Sequence, residues 1–136
     1  MKFLGIDYGR SKIGVSLSEG RLAFPLSVLR VSSLAKVIKD IIEIANEEGV
    51  ERIVVGISEE DMQKEQEKFI DILRKKGGVK VETWDETLTT QDAQTLARTA
   101  GLPRKKLKEM EDAFAATVML QSYLDTYAEN EVTGRV

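Results

Sequence analysis

Lys2-Phe3-Leu4-Gly5-Ile6-Asp7-Tyr8-Gly9-Arg10-Ser11-Lys12-Ile13-Gly14-Val15-Ser16-Leu17-Ser18 reads as two strands joined by a turn. Lys2 to Tyr8 alternates weakly, and Tyr8-Gly9-Arg10-Ser11 has turn chemistry. Beyond it Ile13, Val15 and Leu17 alternate with Gly14, Ser16 and Ser18, the period of two that marks a strand. Glu19-Gly20 supplies a second turn, and Leu22 to Val31 a third strand whose Pro25 belongs on an edge or at a bulge. The stretch therefore predicts a three-stranded antiparallel meander.

Downstream the period changes. Ser32 or Ser33 can cap a helix whose apolar stripe is Leu34, Val37, Ile38, Ile41, Ile42 and Ala45, stopped by Gly49. Ile53-Val54-Val55, within Val50 to Ile57, fits a buried parallel strand. Glu59 to Lys76 reads as a polar helix that buries Phe69, Ile70, Ile72 and Leu73, and Val79 to Trp84 as a fifth strand. Helices over Thr89–Ala100 and Lys105–Tyr127 complete the order βββ-α-β-α-β-α-α. We expect a single domain over residues 1–128 and a flexible tail over 129–136. Right-handed crossovers would make strands 1, 4 and 5 parallel, with their carboxyl ends on one edge.

That edge collects acids. Asp7 ends strand 1, and Asp85 and Glu86 follow strand 5. On the last helix Asp112 shares a face with Ala115, Ala116, Met119 and Tyr123, the apolar side. A carboxylate there is costly to bury unless positive charge meets it. A lysine or arginine could do so, but Asp7, Glu86 and Asp112 converging suggest a divalent cation, and oxygen-only ligands suit magnesium or manganese. Taken singly, each acid has a plainer reading: a turn former, a solvated loop acid, a lysine partner.

The 136 residues include neither histidine nor cysteine. Thiolate zinc sites, cysteine nucleophiles, Ser-His-Asp triads and imidazole acid–base chemistry are all excluded. Any ionisable chemistry of an enzyme here must come from carboxylates, lysines, arginines or tyrosines. The net charge of −3 does not advertise a nucleic-acid binder, but charge is unevenly placed. Arg98, Arg104, Lys105, Lys106 and Lys108 form a run with no acid among them, just before Asp112. Beside an acidic metal centre, such a run points to a phosphate backbone. Lys12 could steady a phosphate, and Gly9 would let the main chain approach one. Tyr8 is placed to stack on a base, with a core or rim role as the alternative. Thr89 with Asp92 reads first as a capping box, and a helix N-terminus there would offer N–H groups to a phosphate. No secretory or membrane-spanning segment is legible, so a cytoplasmic protein is expected.

Gly5-Ile6-Asp7-Tyr8-Gly9-Arg10-Ser11-Lys12-Ile13-Gly14-Val15, Ala23-Phe24-Pro25-Leu26, Ile53-Val54-Val55-Gly56, Asp85-Glu86-Thr87-Leu88-Thr89-Thr90 and Asp112-Ala113-Phe114-Ala115-Ala116 closely resemble the YqgF/RuvX family. The resemblance implies an RNase H-like α/β fold, a five-stranded mixed sheet of order 3-2-1-4-5 flanked by helices. It implies a nuclease of pre-16S rRNA, a family formerly described as Holliday junction resolvases. By the same resemblance, Asp7, Glu86 and Asp112 take the positions of the family's catalytic acids. Partners would be structured RNA or branched DNA, bound by a monomer or a homodimer. After Gly56 the family usually has a proline and a glycine-containing loop, which residues 57–63 lack. Asp7-Tyr8-Gly9 also resembles the first phosphate-binding hairpin of the actin/Hsp70/sugar-kinase ATPases, which need two such domains. A non-catalytic nucleic-acid-binding module is the third reading.

Overall fold

The computed structural model describes residues 1–57, 63–85, 101 and 103–132. The opening meander is β1 (Phe3–Asp7), β2 (Lys12–Glu19) and β3 (Leu22–Arg30). Then come α1 (Leu34–Glu48), β4 (Arg52–Ile57), α2 (Gln63–Gly77), β5 (Lys80–Asp85) and α3 (Arg104–Val132). The strands form one sheet in the order β3-β2-β1-β4-β5. β1 and β2 pair antiparallel, as do β2 and β3, while β1, β4 and β5 run parallel. This is the expected five-stranded mixed sheet. Pro25 lies on the edge strand β3, where the register against β2 shifts between Val15 and Ser16. Both readings of that proline hold.

Each face of the sheet is covered, and the period of two sorts side chains between them. Leu4, Ile6, Ile13, Val15, Ile53 and Val55 pack with Val37, Ile38 and Ile41 of α1 and Phe69 and Leu73 of α2. Phe3 and Val54 point the other way, onto Met119, Leu120, Tyr123 and Leu124 of α3. The polar side of the β2 alternation is therefore not a solvent side. Ser16 and Ser18 are wholly buried. The Ser16 hydroxyl donates to the Ala116 carbonyl at 2.8 Å, and Ser18 Oγ accepts the Phe3 N–H at 3.0 Å. Those bonds satisfy groups that would otherwise be expensive inside.

α1 has its cap at Ser33, whose side chain accepts the Lys36 N–H, and ends at Gly49 in the left-handed conformation. α2 begins at Gln63; the predicted start near Glu59 and the predicted helix Thr89–Ala100 lie outside the described residues. The last helix runs past its predicted end at Tyr127 to Val132, so the tail expected to fray from Glu129 starts as helix. Tyr127 packs edge-on against Phe3 and stacks on Tyr123, which anchors that turn. Ala128-Glu129-Asn130-Glu131-Val132 contains no glycine or proline to stop propagation. Among the described residues no helix is long and apolar enough to cross a membrane.

Candidate active site

Parallel pairing brings the carboxyl ends of β1, β4 and β5 to one edge. Asp7 pairs with Gly56, and Asp85 with Ile57. Alternation then separates these acids by face. Asp7 follows Phe3 and Gly5 on the α3 side, whereas Asp85 follows Val81 on the side of α1 and α2. Asp85 is thus on the sheet face opposite Asp7. Both residues have interaction partners within the structure.

Two glycines allow α3 to reach the sheet. A Cβ at Gly14 would overlap the backbone carbonyl of Asp112, and one at Gly5 would meet Ser16 Oγ, Leu120 Cβ and the Ala116 carbonyl oxygen. Gly14 is also the cross-strand partner of Asp7. Asp7 and Asp112 are therefore neighbours of the same glycine, one through the strand ladder and one through helix packing. Asp112 is half-buried and opens the turn that leads into buried Ala113 and Ala116. The backbones of Asp7 and Asp112 thus both adjoin Gly14. Glu86 and Thr89 lie outside the described residues.

The loop after Asp7 is held by α2. Tyr8 stacks on Phe69, ring centroids 4.7 Å apart, and Arg10 pairs with Glu65 at 3.3 Å. Burial and then the Glu65 carboxylate push the Tyr8 phenol above its ordinary range, against the opposing pull of Arg10. One face of Tyr8 is thus occupied by a core ring, which matches the rim role better than a free stacking platform. Gly9 sits tight against the Lys12 carbonyl, where a Cβ would crowd it. Lys12 opens β2 at the same edge, half-buried.

Arg104, Lys105, Lys106 and Lys108 are exposed on the first turns of α3, N-terminal to Asp112 on the same helix. No acid balances them in the first turn. They face the positive end of the helix dipole, an arrangement that costs stability and gives the helix no benefit of its own. Arg30, which the sequence reading passes over, lies directly across from Lys12. Counting outward from the hairpin at Gly20 would pair them only approximately, because the bulge at Leu26, beside Pro25, moves the register by one.

Among the described residues, no three Asp or Glu gather as a metal-binding group. Asp7 and Asp112 are two, both hard oxygen donors, and the chain has no nitrogen or sulfur ligand from histidine or cysteine to compete. That donor set fits a hard divalent cation.

At the far end of the same sheet face, a polar network has a different character. Arg52 donates to the Tyr123 hydroxyl and pairs with Glu82 at 3.4 Å, while Tyr123 donates to Glu82. The guanidinium also lies over the rings of Phe3 and Tyr127. Its groups are mutually satisfied, so it reads as a clamp for α3.

Comparison with known proteins places this architecture. The sequence model of the RuvX family, described as Holliday junction resolvase, matches residues 1–126. A protein of Desulforudis audaxviator named "Putative pre-16S rRNA nuclease" is 38% identical over 134 residues, covering 93% of this chain and 95% of its own. One of Desulforamulus reducens with the same name is 36% identical over 137 residues, covering 95% and 100%. Among solved structures, Thermus thermophilus RuvC in complex with a Holliday junction substrate superposes with a TM-score of 0.64 at 15% identity, covering 95% of this chain and 96% of that one. The fowlpox virus resolvase bound to Holliday junction DNA gives 0.64 at 8% identity, covering 93% and 99%. Both are likenesses of fold.

Proposed function

The chain belongs to the RuvX family, and from that membership we propose that it is a metal-dependent endonuclease hydrolysing nucleic-acid phosphodiester bonds, with the 5′ end of pre-16S ribosomal RNA as its substrate. The observation that carries this reading is 36–38% identity over 93–95% of the chain to relatives named "Putative pre-16S rRNA nuclease". The meeting of Asp7 and Asp112 at Gly14 supports it.

We assign Asp7, Glu86 and Asp112 as the catalytic acids that would hold magnesium or manganese. Glu86 follows directly in sequence on Asp85, the last residue of β5. When bound, such an ion lowers the pKa of water and neutralises charge on the scissile phosphate. The chain's own part is to fix the carboxylates. Asp7 is set by the strand ladder and Asp112 by helix packing. Lys12 and the cations of Arg104–Lys108 would hold the nucleic-acid backbone, with Gly9 letting the main chain come close and Tyr8 forming the rim. Thr89 would add a contact near Glu86. The domain over residues 1–128 would carry the whole activity in the cytoplasm, as a monomer or a homodimer.

The test is cleavage of precursor rRNA and of a synthetic four-way junction, each with and without magnesium or manganese. We expect metal-dependent cutting of the precursor, lost in Asp7→Asn with the thermal transition retained. Full activity of Asp7→Asn would sink the assignment. Cutting of the junction alone would move the substrate to branched DNA, the description carried by the family model.

A further inference from the structure

Two contacts set how α3 lies along β2. Gly14 touches the backbone of Asp112, and Ser16 bonds the carbonyl of Ala116. Two strand residues, about 7 Å, are matched by four helix residues, about 6 Å. One step back along both elements sets Lys12 level with Lys108. Alternation puts Lys12 on the α3 side with Gly14, and its cross-strand partner Arg30 shares that side. The Val31 N–H bonds the Ser11 carbonyl at 2.9 Å, so the strands stay paired beyond this rung and keep Lys12 and Arg30 opposed.

Like charges facing each other across a strand pair repel. Lys2, Arg10, Lys36, Arg52 and Lys80 have carboxylate partners. Among the described residues, Lys12, Arg30 and Lys108 have none. Three cations from three elements are thus held at one level, immediately outside the level of Asp7 and Asp112.

We infer that Lys12, Arg30 and Lys108 form a phosphate subsite for the nucleic-acid backbone, one step outward from the acids. This deepens the nuclease reading and rests on its substrate being nucleic acid. The subsite takes a phosphodiester flanking the one cut, and charge alone makes it indifferent to base. It would hold the strand in register over Asp7 and Asp112.

Anisotropy titration of the full chain with a fluorescein-labelled RNA oligonucleotide, and with DNA of the same sequence, tests this in EDTA, where cleavage plays no part. Arg30→Gln, Lys108→Gln and Lys12→Gln should each weaken binding roughly 3- to 10-fold at low salt, and each should lower the slope of log K against log salt by about 0.7–0.9. Arg30→Lys should restore the slope. Lys39→Gln, on α1 across the sheet, should leave affinity and slope unchanged. Arg30→Gln should keep or raise Tm, since it removes a repulsion. The inference is overturned by wild-type slopes in the three subsite variants, by an equal loss in Lys39→Gln, or by failure of the unaltered chain to bind either oligonucleotide. Because no cutting is measured, a chain that binds with these slopes but cleaves nothing would overturn the nuclease reading and leave the subsite standing.

Discussion

At Gly14 one missing methyl group decides where a carboxylate stands. The residue pairs with Asp7 and abuts the backbone of Asp112, so its α-carbon is the spacer between the two acids. Gly14→Ala must push α3 off the sheet, because the obstacle is main chain that cannot rotate away. We expect a loss of about 1–3 kcal/mol, the usual cost of overpacking, measured by urea denaturation. Cleavage should fall further than the folded fraction does, since Asp112 moves with the helix. A variant that is fully folded and fully active would show that the spacing of the acids does not matter.

α3 carries opposite demands at its two ends. Its first turns hold Arg104, Lys105, Lys106 and Lys108 against the dipole, and its C-terminal half is clamped through Tyr123 and Tyr127. Replacing Arg104 and Lys105 by glutamine should raise Tm by about 1–3 °C, because unfavourable charge leaves a helix N-terminus, while weakening RNA binding. A fall in both would mean that those cations serve the fold. The clamp sets the pH limits of the element. Although burial opposes its charge, hydrogen bonds from Tyr123 and Lys80 and the nearby Arg52 hold Glu82 below its ordinary 4.5. The stability it confers is present above pH 4.5 and drains away as pH falls through the depressed value. Burial, and then the bond to Glu82, push Tyr123 up to about 12, so its share persists below pH 10 and is lost as pH rises from 10 towards 12. Thermal melts across pH should show both limbs, and Glu82→Gln should flatten the acid one.

Over the whole molecule, a net charge of −3 coexists with a cationic border around the carboxyl edge of the sheet. That polarity is invisible in the total and emerges when β2, β3 and α3 are aligned. Local features of the chain were enough for the meander, the α1 stripe with its Gly49 stop, the buried Ile53-Val54-Val55 strand and the role of Pro25, because periodicity and turn chemistry act over a few residues. The family motifs were equally legible. The extension of α3 to Val132 was not, since Tyr127 earns its place by packing on Phe3, far away in the chain. Nor was the division of acids by sheet face, which depends on where each strand begins its alternation. The pairing of Lys12 with Arg30 needed the bulge, and their level with Lys108 needed two close helix–strand contacts. What the sequence determined by itself was which segments become strands and helices and which residue types are available for chemistry. Which of those residues meet was decided only by tertiary structure, because register, face and close approach are properties of packed pairs that no single segment contains.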